Sequence, residues 1–210
     1  MADLKQMTEA LVAMDEKRLT ELVRGALDEG IPAKEILNGG LLPGMETVGQ
    51  KMESGDMFIP EVLMSAKGMS AAVEILKPML GDEDINAAGK VVIGTVKGDL
   101  HDIGKNLVVM MLESAGFEVH NLGVDISPED FVKAIKENEP DLLALSALLT
   151  TTMTMMKQTV DAVTESGLRE RVKVMIGGAP VTQQFADEIG ADGYAPDAGS
   201  AGKLAKALLQ

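Results

Sequence analysis

The chain has 210 residues, 46% of them hydrophobic, with no cysteine, no tryptophan and a formal net charge of −14. That length admits one large domain or two small ones, and that apolar content excludes wholesale disorder. The missing cysteines exclude disulfides, thiolate metal sites, iron–sulfur clusters and a cysteine nucleophile, while the charge argues against nucleic acid or an anionic membrane as partner.

One tyrosine and four phenylalanines are too few for a single-strand stacking platform. The opening MADLKQMTEA carries polar and acidic residues where a secretory signal needs an apolar core. No apolar run approaches the ~18 residues of a membrane span. A cytoplasmic location is expected.

Residues 1–80 read as helical throughout. A short first helix falls around Leu4–Val12. Leu19, Leu22, Val23, Ala26 and Leu27 then recur at the spacing of one helical face. Gly30 stops that helix and Pro32 opens the next, which carries Ile36 to Met52 with a kink expected at Gly39–Pro43. After the Ser54–Gly55–Asp56 turn, Pro60 opens a fourth helix bearing Leu63, Ala66, Met69, Ala72, Val73 and Leu76. Four helices on short loops predict a small antiparallel bundle.

Residues 81–89, GDEDINAAG, have no period and read as a linker. From residue 90 to 210 the pattern alternates. Strands are predicted at Val91–Thr95, Phe117–Leu122, Leu142–Ser146, Lys173–Ile176 and Asp192–Tyr194. Helices are predicted at Asn106–Ala115, Pro128–Asn138 with Ser127 as N-cap, Thr150–Ser166, Thr182–Ile189 and Ser200–Leu209. The alternation implies right-handed crossovers and a five-stranded parallel sheet, Rossmann-like or flavodoxin-like, covered on both faces. Ligands of such sheets sit at the carboxyl ends of the strands.

Unusual residues fall at those ends. The loop after the first strand reads Gly98, Asp99, Leu100, His101, Asp102, Ile103, Gly104. An Asp two residues before a His can hold one ring nitrogen and leave the other as a lone-pair donor. That makes an oriented metal ligand or a general base; a plain loop histidine bonded to an N-cap Asp is the alternative. The other histidine, His120, lies on a strand and reads as structural, so a metal on His101 needs most of its ligands from elsewhere. Ser146 ends the third strand, with Leu148 and Thr150–Thr152 following, and Gly177–Gly178 follows the fourth. Hydroxyls there can bond a buried polar ligand or cap a helix, and the glycines permit close backbone approach or a tight turn. Neither G-x-G-x-x-G nor a P-loop occurs.

In this order and spacing, Asp99-x-His101-x-x-Gly104, Ser146-x-Leu148 and Gly177–Gly178 resemble the signature of cobalamin-binding corrinoid proteins. The resemblance extends to Met57–Phe58–Ile59–Pro60–Glu61 and points to the methyl carriers of methanol, methylamine and quaternary-amine methyltransferase systems, in methanogenesis or acetogenesis. The module of methionine synthase is a more distant relative. The resemblance implies a cobalamin, in its methylcobalamin form, or a related corrinoid, bound base-off and His-on. His101 would be the lower cobalt ligand and Asp99 its hydrogen-bonding carboxylate, with Thr152 where a relay hydroxyl is expected. The loop from Gly98 to Gly104 would lie against the ring. Ser146, Leu148, Thr150, Gly177, Gly178, Tyr194 and Ala198 would line the slot for the nucleotide tail, and the helical half, through residues such as Phe58 and Leu63, would cap the upper face. The chain would carry a methyl group on cobalt from a substrate:corrinoid methyltransferase to a corrinoid:acceptor methyltransferase with a thiol or folate acceptor, serviced by a reductive activase. It would be the carrier subunit of such a system, not a stand-alone catalyst.

Other readings fare worse on the residues. Ile103 stands where radical mutases have Arg, and light-sensing repressors need a Trp and a DNA-binding domain. A flavodoxin-like signalling or interaction module without corrinoid is the alternative, but Ser146 occupies the position of a receiver's phosphorylated Asp.

Overall fold

The computed structural model describes residues 3–80 and 88–210; most of the expected 81–89 linker lies outside the described residues. The chain divides into two compact units, one all-helical and one α/β beginning at Ala88.

In the helical unit α1 (Leu4–Val12) is capped by Asp3 and α2 (Glu16–Asp28) by Asp15, whose carboxylate accepts from the Arg18 N–H at 2.9 Å. Next come α3 (Ala33–Ile36), a π-helical turn (Leu37–Leu41) and α4 (Leu42–Glu53). The kink expected at Gly39–Pro43 is instead this wider turn, through which the helix continues. Pro43 has no N–H to offer the carbonyl four residues back. One extra residue resolves the conflict: the Leu42 N–H donates to the Leu37 carbonyl five residues back, and the Gly40 carbonyl accepts from the Thr8 hydroxyl at 3.0 Å. Gly40 and Gly44 let α1 approach closely, since a Cβ on Gly44 would lie 2.5 Å from Leu11 Cδ1.

The last long helix, α5 (Ile59–Leu76), buries Val62, Ser65, Ala66, Met69, Ala72 and Leu76. Leu63, predicted on the core stripe, sits one position off it and is exposed, as are Phe58, Ile59 and Met64. A short 3₁₀ turn (Lys77–Met79) follows.

The α/β unit runs β1 (Gly89–Thr95), α6 (Ile103–Ser114), β2 (Phe117–Asn121), α7 (Pro128–Asn138), β3 (Leu142–Ser146), α8 (Met153–Glu165), β4 (Lys173–Gly177), α9 (Gln183–Ile189), β5 (Gly193–Ala195) and α10 (Ala198–Leu208). The five strands are parallel in the order β2-β1-β3-β4-β5. Register pairs Thr95 with Ser146, Ser146 with Gly177 and Gly177 with Ala195, so their carboxyl ends are level. Phe131, Ile135, Met156, Val160 and Val163 from α7 and α8 pack in one core with Val92, Leu143, Leu145, Val174 and Ile176. Right-handed crossovers put α6, which runs the opposite way along the sheet, on the other face. The chain reverses direction between β1 and β3, and loops leaving those strands diverge around a crevice.

Candidate ligand site at the β1–β3 switch point

β1 hands over to a loop that turns at Gly98, whose φ of 82° suits glycine. Asp99 follows with no exposed surface. One of its oxygens, Oδ1, accepts from the His101 backbone N–H at 3.1 Å and lies 2.7 Å from His101 Nδ1. The other, Oδ2, accepts from the Leu148 N–H at 2.8 Å, the Leu149 N–H at 3.2 Å and the Thr152 hydroxyl at 2.8 Å. Burial alone would raise the Asp99 pKa, but the bonds from the His101 ring, Leu148, Thr152 and the His101 amide outweigh it and hold the carboxyl well below the usual carboxylate range. An ionised carboxylate only accepts, so His101 Nδ1 carries the proton and neutral imidazole presents its lone pair at Nε2. That nitrogen has no partner among the described residues, and the His101 side chain is about half exposed (52%).

Three further contacts fix the turn. The Thr95 hydroxyl, fully buried at the end of β1, donates to the His101 carbonyl at 2.9 Å. Asp125, in the loop after β2, accepts from the Gly98 N–H at 2.8 Å. Buried Lys105 donates to the side-chain carbonyls of Asn106 and Asn121 at 2.7 and 2.8 Å. These residues were not picked out from the sequence. They act across the fold, and only the Asp in a short Gly-containing loop hints at a turn.

The loop is shorter than expected because α6 begins at Ile103, putting Ile103 and Gly104 in its first turn. Asp102 accepts from the Asn106 side chain at 3.0 Å. Leu100 (71% exposed) and Ile103 (84%) project into solvent, and Leu148 and Leu149 from the β3 loop are also exposed. Four apolar side chains thus accompany an imidazole whose free nitrogen is open. A Cβ on Gly104 would meet open space.

The remaining predicted residues lie along the same edge. Ser146 is half-buried at the end of β3 and its hydroxyl has no protein partner among the described residues; Thr150 is exposed in the turn before α8. Gly177 ends β4, and a Cβ on Gly178 would lie 1.8 Å from the Ala147 carbonyl oxygen, at a φ of 136°. The close approach that Gly178 permits is therefore to the neighbouring strand's backbone. Tyr194, in β5, packs on the sheet core, and Ala198 opens α10 behind its N-cap Asp197. His120 pairs with Glu118 of its own strand at 2.9 Å.

Among the described residues no group of three His, Cys, Asp or Glu side chains could hold a metal ion. What the site offers is one oriented nitrogen donor in an apolar setting. That suits a planar metallocycle which brings its own in-plane ligands, with the apolar side chains against its underside. No helix among the described residues is long and apolar enough to cross a membrane.

Comparison with known proteins gives the same class. A B12 binding domain family matches residues 89–201, and a second B12 binding domain family matches residues 3–77. Dimethylamine corrinoid protein 3 of Methanosarcina acetivorans is 43% identical over all of both chains. A cobalamin-binding protein from Desulfitobacterium hafniense superposes with a TM-score of 0.88 at 34% identity over all of both chains. The methanol:cobalamin methyltransferase complex of Methanosarcina barkeri contains a chain that superposes with a TM-score of 0.83 at 31% identity, covering 98% of this chain and 79% of that one.

Proposed function

The chain belongs to the B12-binding corrinoid proteins, and from that premise we propose that it is a methyl carrier whose corrinoid is held base-off with His101 Nε2 as the axial ligand from below. The observation that carries the reading is the 2.7 Å link between Asp99 and His101 Nδ1, which leaves the outward nitrogen free on a half-exposed ring. When bound, the corrinoid supplies a cobalt centre that takes a methyl group from one protein and gives it to another.

The chain's own residues aim and insulate. Asp99 keeps the proton on Nδ1 and, as an ionised acceptor, makes the imidazole a stronger donor at Nε2. Thr152 and the amides of Leu148 and Leu149 hold that carboxylate in place, and Thr95 fixes the His101 carbonyl. Leu100, Ile103, Leu148 and Leu149 keep water from the imidazole. Ser146, Thr150, Gly177, Gly178, Tyr194 and Ala198 line the slot for the nucleotide tail. In this reading residues 1–80 are a cap, 81–89 a linker and 90–210 the corrinoid-binding domain.

The partners are a substrate:corrinoid methyltransferase, an acceptor methyltransferase and a reductive activase, working in the cytoplasm. Similarity to a dimethylamine corrinoid protein supports a methylated amine as the donor. Reconstitution with hydroxocobalamin tests the reading: wild type takes up about one cobalt per chain with a histidine-ligated, base-off spectrum. His101→Ala keeps the cofactor through the tail slot and loses that spectrum. An unchanged spectrum in the variant, or refusal of the cofactor by the wild-type apoprotein, overturns it. Methyl transfer from dimethylamine, trimethylamine or methanol with a cognate methyltransferase then identifies the donor.

A further inference from the structure

We propose that Asp125 is the positioning residue that aims His101, acting through the Gly98–Asp99 turn. The proposal rests on the reading of His101 as axial ligand and adds the residue that holds its loop in register.

The parallel ladder between β1 and β2 breaks at this point. It runs regularly to the pair Ile93–Asn121 and resumes only at the bridge Val96–Ile126. The Thr95 N–H donates to the Gly123 carbonyl and the Ile126 N–H to the Thr95 carbonyl, each at 3.0 Å. More chain lies between those points on the β2 side than on the β1 side, and the surplus bulges out with Asp125 at a φ of 58°. The other described non-glycine residues with positive φ, Met14 and Glu139, each close a helix. Asp125 does not. A side chain kept in the left-handed region near a ligand site is a strain the surrounding contacts have to repay.

The contacts that do so all run to the ligand loop. Asp125 Oδ1 accepts from the Gly98 N–H at 2.8 Å, the Asp125 N–H donates to the Asp99 carbonyl at 3.1 Å, and Lys97 Nζ lies 3.7 Å from Oδ1. One residue therefore grips three consecutive positions, Lys97, Gly98 and Asp99, just ahead of His101. On the far side of His101 the same β2 loop takes hold again: Asn121 Oδ1 accepts from Lys105 Nζ at 2.8 Å and from the Gly123 N–H at 3.0 Å. Asp125 itself does not touch His101.

Two variants separate the side chain from the backbone. Asp125→Gly keeps the left-handed conformation without strain and deletes the latch. Asp125→Asn keeps an acceptor and tolerates that conformation. In the apoprotein, amide exchange at Gly98–Asp102 rises about tenfold in Asp125→Gly, the scale of one lost charge-assisted bond, and stays near wild type in Asp125→Asn. After loading with hydroxocobalamin, Asp125→Gly shows a smaller histidine-ligated fraction and Asp125→Asn a wild-type one.

His101→Ala runs alongside. If its spectrum matches wild type, the axial-ligand reading fails, and with it this proposal. If His101→Ala changes the spectrum while Asp125→Gly leaves both exchange and spectrum at wild type, only the latch is overturned. Exchange that rises evenly over the whole sheet overturns it too, because Asp125 would then serve the fold and not the loop.

Discussion

The Thr152 hydroxyl and the Asp99 carboxylate, 53 positions apart in the chain, meet at 2.8 Å inside the protein. That bond joins the loop after β3 to the loop after β1 across the reversal point of the sheet. Thr152→Val keeps the shape and removes the donor, while the Leu148 and Leu149 amides remain. Loss of a hydrogen bond to a charged group costs about 1.5–3 kcal/mol. Urea unfolding of the apoprotein reads this as a lower midpoint at unchanged slope, and Thr152→Ser recovers most of it. Equal midpoints for wild type and Thr152→Val would rule out the bond as a stabilising contact.

Asp99→Asn tests the acceptor itself. An amide can satisfy His101 from its oxygen, but its NH₂ then faces the donors of Leu148, Leu149 and Thr152. Buried donors left facing a donor cost about 1–3 kcal/mol each, so a clear drop in stability is expected. Nitrogen NMR of the apoprotein supplies the second readout. Wild-type His101 is held as the Nδ1–H tautomer, and in Asp99→Asn that preference weakens. A His101 signal identical in both proteins contradicts the tautomer argument.

Lys105 gives a pH prediction. Burial lowers its pKa, partly opposed by the nearby charge of Asp102. Its folded-state pKa is therefore below the ordinary unfolded value of about 10.4. Between the two, the unfolded chain binds more protons, so this group's contribution to stability improves as pH rises through that interval. Lys105→Met has no such proton. The wild-type melting temperature should gain on that of Lys105→Met between pH 8 and pH 10, at matched ionic strength. Parallel melting curves would count against a depressed lysine.

Gly178→Ala should be far worse than Gly190→Ala. Both glycines have positive φ, but a Cβ at Gly190 meets nothing within 4 Å, whereas at Gly178 it lies 1.8 Å from a backbone oxygen. The first change should cost about 1 kcal/mol. The second demands movement of two adjacent strand ends, more than about 4 kcal/mol, and should leave little soluble protein. Expression and thermal melts of the pair decide it.

The sheet and its order of strands and helices were legible because apolar runs bounded by Gly and Pro punctuate residues 90–210 so regularly. Asp99 and His101 were legible because their contact is local, two residues apart. What escaped was either register or reach. Leu63 looked like core until α5 took the phase set by Val62 and Ala66. Ile103 and Gly104 start α6 although glycine is a poor helix former, since the Asn106 amide finds the Asp102 carbonyl at 2.7 Å. Asp125 and Thr95 matter through partners that only folding brings near, so no local spacing announces them.

The widened turn at Leu37–Leu41 makes the helical unit intolerant of a single-residue deletion there. Removing one residue would restore ordinary winding and rotate everything downstream by about 100° about the helix axis. Met45 and Val48, now buried, would swing toward solvent, and Thr8 would lose the carbonyl it now holds. Chain length at that point is thus fixed as tightly as any side chain, and natural variation in this segment should appear as substitutions and not as gaps.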